Sequence, residues 1–181
     1  MPQSRIPIFL QQATMQRMRE CLALANRAFG LNCPEPVISY RQRGTTAGCA
    51  HLQKWQITLN AKLLLENQQA FIDEVVPHEM AHLFAYRQFG RVPPHGKAWR
   101  NIMEQFFSVP ANRTHRFDIT SVQGKTFTYQ CDCQKHQLTL RRHNKVVRGQ
   151  LTYYCTKCQG RLIRVETENA NPENLPSRTA K

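Results

Sequence analysis

The sequence predicts an α+β fold, with helices and a small antiparallel sheet in the body and a short β segment near the C-terminal end organised by clustered cysteines. Three observations predict it. Helical periodicity flanks a stretch of short strand-like segments. Four of the seven cysteines crowd into the last third of the chain as two close pairs. The 181 residues are 41% hydrophobic and 20% charged, enough for a buried core in about one domain with a small appendage.

The elements follow in order. Residues 11–30 read as an amphipathic helix, because Met18, Leu22, Ala25 and Phe29 recur at helical spacing and Gly30 can terminate it. That stripe is a core face. Residues 36–60 read as strands: Val37-Ile38-Ser39-Tyr40, then Ala47 to Leu52, then Trp55 to Leu59, with the turn signal Arg43-Gly44 between the first two. A three-stranded antiparallel sheet is the expected arrangement. Residues 61–107 return to helical patterning, interrupted at Phe89-Gly90-Arg91-Val92-Pro93-Pro94. Pro77 either kinks the first of these helices or starts a new one. The boundaries read from this pattern are a body over 1–112, a basic cysteine-bearing segment over 113–165 and a polar, disordered tail over 166–181.

Lys and Arg total 25 against 12 Asp and Glu, a formal net charge of +13. Residues 113–165 alone carry eleven bases and two acids, Asp118 and Asp132. Such an excess favours an anionic partner, nucleic acid above all. Nothing approaches the 18 or more apolar residues of a membrane span. The apolar N-terminal run, Ile6 to Leu10, is too short for a secretory signal. The expectation is therefore a cytoplasmic protein without membrane contact, and clustered cysteines in a reducing compartment point to metal rather than disulfide.

Two clusters carry chemistry. His78-Glu79-Met80-Ala81-His82 places two imidazoles four residues apart on one helical face, where both reach one zinc ion. Glu79 stands beside them, placed to take a proton from an activated water. With this chain's own frequencies, chance alone produces the pattern about 0.013 times. A catalytic zinc needs a third protein ligand and an open position. His95, in Pro94-His95-Gly96, is the favoured candidate and Glu104 the rival. The prolines stiffen that loop, and Gly96 lets the backbone pass close to the metal.

The second cluster is Cys131-Asp132-Cys133 with Cys155-Thr156-Lys157-Cys158. The latter pair has the spacing of a zinc knuckle, and the strand-like runs Leu138 to Leu140 and Leu151 to Tyr154 between the pairs can form a ribbon hairpin. A four-cysteine structural zinc fits best, although His136 or His143 can replace Cys133. Cys21, Cys33 and Cys49 read as small buried hydrophobes. Arg141, Arg142, Lys145 and Arg148 fall on the connection between the ribbon strands, with Tyr129, Tyr153 and Tyr154 interleaved, a composition that binds phosphates and stacks on bases without reading sequence.

These motifs in this order, His78-Glu79-Met80-Ala81-His82, then Pro94-His95-Gly96-Lys97-Ala98-Trp99, then the two cysteine pairs, resemble the SprT family over residues 5–165. The family is similar to the protease domain of Spartan, which digests proteins crosslinked to DNA. The resemblance implies a zincin-like metalloprotease domain with a C-terminal zinc ribbon. It implies His78, His82 and His95 as ligands of a catalytic zinc, Glu79 as acid/base, and a second, structural zinc on the cysteines. The C-x-C pair departs from the usual C-x2-C ribbon. The function expected is a zinc-dependent metalloendopeptidase acting on DNA-associated proteins. The alternatives are a non-catalytic zinc-dependent DNA-binding or regulatory protein, and a metallopeptidase with no nucleic-acid role.

Overall fold

The computed structural model describes residues 6–165; the expected tail over 166–181 lies outside them. The described residues form two compact units that divide between Gln123 and Gly124.

In the first unit, α1 spans Ile8–Phe29 and buries Leu10, Thr14, Met18, Cys21 and Ala25, spaced three or four apart. Gly30, in the left-handed region at φ 63°, closes it. Three strands follow: β1 (Val37–Ser39), β2 (Gly48–His51) and β3 (Gln56–Leu59). The sheet order is β1-β3-β2. β2 runs antiparallel to β3, but β1 runs parallel to it. The sheet is therefore mixed, not a meander, and Trp55 to Leu59 contributes its centre. A single helical turn at Leu52–Lys54 makes the tight β2–β3 connection, whereas β1 reaches β3 only by passing β2 in sequence.

Helix α2 spans Ala61–Phe89. Asn60 starts it: its side chain accepts from the Lys62 and Leu63 amides and donates to the Gly44 and Thr46 carbonyls at 2.8 and 3.2 Å. The break in α2 is at Gln68 (φ 41°, ψ −112°), not at Pro77, and the helix runs through the proline. The Asn67 amide bonds the Leu63 carbonyl at 2.9 Å just before that break. α3 (Lys97–Asn101) continues into a wider π turn at Ile102–Phe106. The core gathers Met18, Leu59, Leu63, Phe71, Met80, Phe84, Trp99 and Ile102, each under 2% exposed.

Residues 113–123 belong to this unit, which moves its end past the expected 112. Phe117 stacks on Phe71 at 5.9 Å, His115 stacks on Phe117, and Ser121 bonds Glu66 at 2.6 Å.

The second unit pairs β4 (Thr126–Gln130) with β5 (Lys135–Thr139) and with β6 (Ile163–Arg164), all antiparallel. Leu140 is not strand: it opens α4 (Leu140–Val147), which carries Arg141, Arg142 and Lys145. Residues 151–154 contribute only a Tyr154–Arg161 bridge. The expected hairpin partner is thus β4, and the expected connecting loop contains a helix. This unit's core is small: Tyr129, Leu138, Cys155 and Leu162. No helix among the described residues is long and apolar enough to cross a membrane.

Candidate metal centre and active site

Helix α2 presents His78 and His82 one turn apart, and the loop before α3 brings in His95. Their Nε2 atoms lie 3.0, 3.1 and 3.2 Å from one another. Three imidazole nitrogens converging on one point can turn their lone pairs to a single cation. Tetrahedral zinc, with bonds of about 2.0–2.1 Å, sets its ligands about 3.3 Å apart, close to what is seen. Glu104 is exposed and stands apart from the trio.

The electrostatics match a ligand set. Burial first, then His95, lowers His78 to about 4, and the backbone of Asn112 hydrogen bonds to its ring. Burial, then His78 and His95, lowers His82 to about 3. Burial and Arg113 lower His95. All three imidazoles are held neutral, the form that binds metal.

Trp99 is the floor of the site. It is 1% exposed, and its ring centroid lies 4.8, 5.6 and 4.8 Å from those of His78, His82 and His95. Its Nε1–H donates to the His78 carbonyl at 3.1 Å. His95 takes a left-handed backbone, φ 55°. Gly96 serves a different contact from the one expected: a Cβ there would stand 2.9 Å from the Pro93 carbonyl, whose oxygen accepts the Gly96 amide. The glycine tightens the loop against itself.

Glu79 is 6% exposed, and burial raises it to about 8, with a hydrogen bond from the Ala50 backbone working against the rise. A buried carboxyl near neutrality can both accept and return a proton. Strand β2 crosses directly over it. A Cβ on Gly48 would stand 2.8 Å from Glu79 Cγ and Oε1 and 2.9 Å from Val75 Cγ1, so only glycine fits. A cavity of about 520 Å³ joins these residues to Cys49, Arg113 and His115. Cys49 is half-buried on this wall, where the sequence reading expected a buried residue, and burial and Glu79 raise its thiol. The Nδ1 of His115 is buried without a hydrogen-bond partner. Gly48, Arg113 and His115 carry no local sequence signal for the site; tertiary approach brings them there.

In the second unit the four cysteine sulfurs lie within 4.8 Å of one another. Cys133 Sγ is 3.4 Å from Cys131 Sγ and 3.7 Å from Cys155 Sγ, near the S···S spacing of about 3.8 Å for tetrahedral thiolate zinc. His136 lies outside this set, its Nε2 3.4 Å from Cys131 Sγ. His143 is occupied elsewhere: it stacks on Phe127 at 3.6 Å and its Nδ1 meets the Tyr129 hydroxyl at 3.0 Å. Tyr129 is itself buried, so it offers no stacking face. The four basic residues separate. Arg141, Lys145 and Arg148 line one hollow of about 390 Å³, while Arg142 lies over the Tyr153 ring at 5.7 Å.

The sequence profile of the SprT-like family matches residues 18–115, and that of the SprT-like zinc ribbon domain matches residues 125–166. A protein named Protein SprT from Photorhabdus laumondii is 58% identical over 97% of this chain and 91% of its own. Those of the same name from Yersinia enterocolitica and Cronobacter sakazakii are 63% and 57% identical, over 87% and 88% of this chain and 93% and 96% of theirs. No solved structure matches. The chain therefore belongs to the SprT-like family and carries that family's zinc ribbon domain.

Proposed function

We propose that the chain is a zinc-dependent metalloendopeptidase that cuts proteins associated with DNA. The observation that carries the reading is the convergence of three neutral imidazoles beside a buried carboxyl. His78, His82 and His95 would hold the ion, and the group comprises these three residues alone among the described ones, leaving a coordination position for solvent. Zinc when bound supplies a Lewis acid that polarises a carbonyl and eases loss of a proton from water. Glu79 takes that proton as general base and returns it to the leaving amine. Trp99, which donates to the His78 carbonyl and lies against all three rings, keeps the imidazoles oriented. A purely structural centre has no use for Glu79, which weighs against the non-catalytic reading.

An edge strand offers backbone to an extended substrate. β3 is central and has no free edge; β2 is the edge beside the site. The Ala47 carbonyl bonds the Asn60 amide on the β3 side. By alternation Gly48 and Ala50 turn their backbone outward.

The four cysteines would hold a second, structural zinc, supported by the ribbon match and their spacing. The ribbon brings the enzyme to DNA through Arg141, Arg142, Lys145 and Arg148, without sequence preference, as contacts to phosphate alone give. Glu79→Gln should retain zinc at the histidines and lose cleavage of a DNA-bound protein. A variant that cuts as fast as the wild type overturns the mechanism.

A further inference from the structure

A second cavity, of about 380 Å³, is lined by His82 but not by Glu79. Leu52, Ala85, Tyr86, Val92, Pro93 and Trp99 give it an apolar side, and the polar His51 and Gln53 also line it. It shares His82, Leu52 and Pro94 with the cavity that holds Glu79, so the two adjoin at the three-histidine centre. Leu52 is 38% exposed at the end of β2, an apolar side chain left at the surface beside the site. Lys54 and Arg91 are exposed lining residues of this cavity, and no carboxylate lines it.

We infer that this cavity is a side-chain subsite for large apolar residues, Leu, Met, Phe or Tyr, on the N-terminal side of the bond cut. The inference rests on the peptidase reading above. A substrate strand that pairs antiparallel with β2 runs from the His51 end towards the Gly48 end, so residues ahead of the bond pass the cavity beside His51 and Leu52. The walls give an apolar side chain a dry surface. A basic side chain there is desolvated without a partner, next to Lys54 and Arg91. The subsite therefore selects for apolar bulk and against Lys and Arg.

The test digests an unfolded protein mixture with the zinc-loaded full chain and reads the new termini by mass spectrometry. Large apolar residues should be enriched about tenfold at one of the two positions before the cut, the scale one good apolar pocket provides. Lys and Arg should be depleted there. The variant K54E/R91E should admit Lys and Arg at that position. Cleavage without bias, or a bias unchanged in the variant, overturns the subsite and leaves the peptidase reading standing.

Digestion no faster than by Glu79→Gln sinks the peptidase reading instead. The subsite is then decided by binding. Trp99 fluorescence, read in a Trp55→Phe chain, is titrated with acetyl-phenylalanine amide and with acetyl-lysine amide. A saturable change with the first alone supports the cavity's selectivity; equal responses, or none, overturn it.

Discussion

At Gly48 the missing side chain leaves room that Glu79 and Val75 already fill. Gly48→Ala must push Glu79 away from its place, and misplacement of a catalytic group by about 1 Å costs on the order of 100-fold in rate. The expected result is that loss with zinc content at the histidines unchanged; kinetics and metal analysis on the same sample check it, and a fully active variant removes Gly48 from the site. Cys21 makes a second case at this scale. Burial, with Glu20 adding, raises its thiol from 9.0 to about 12. The unfolded chain therefore loses this proton first, so the stability it contributes is complete below pH 9 and drains away as pH rises towards 12. At pH 8 the native thiol should resist iodoacetamide; labelling at the rate of a free thiol contradicts the burial. His78, Glu79 and His82 were legible because one helical turn fixes their relation. Gly48, Arg113, His115 and the flooring role of Trp99 were not, because each is made by segments distant in sequence.

At the scale of elements, Asn60 links two of them. It caps α2 and holds the Gly44 and Thr46 carbonyls of the turn before β2. Asn60→Ala removes the cap and strands two carbonyls, so about 2 kcal/mol or more of stability should go. Denaturant unfolding measures it; a loss under about 0.5 kcal/mol shows that the turn finds other partners. α1 and α2 were legible from their periodicity. The parallel β1–β3 pair was not, because pairing across an intervening strand leaves no local pattern. α4 was missed because its charges read as loop, yet Leu140, His143, Val146 and Val147 recur at helical spacing with no Gly or Pro between them. Pro77 has breaker chemistry and breaks nothing, while the real break, at Gln68, is made by a residue with none.

Over the whole molecule the charge is uneven. The segment over 124–165 has nine Lys or Arg and a single acid, Asp132. If Arg141, Lys145 and Arg148 each neutralise a phosphate, neutralising all three should flatten the salt dependence of DNA binding by about three in log–log slope. Titration at two or more salt concentrations checks it, and an unchanged slope places the DNA surface elsewhere. The two-unit division was legible as a change of composition, but its position was not, since 113–123 is basic like the ribbon while Phe117 anchors it on Phe71.

The two units also differ in what keeps them folded. The first has two dozen buried apolar residues behind it; the second has four. So few contacts would leave the cysteine-bearing unit dependent on the structural zinc proposed for it, as in small domains whose folding energy is metal affinity. Scarcity of zinc would then act on the molecule unequally: the helical body keeps its shape, and the cationic appendage melts first.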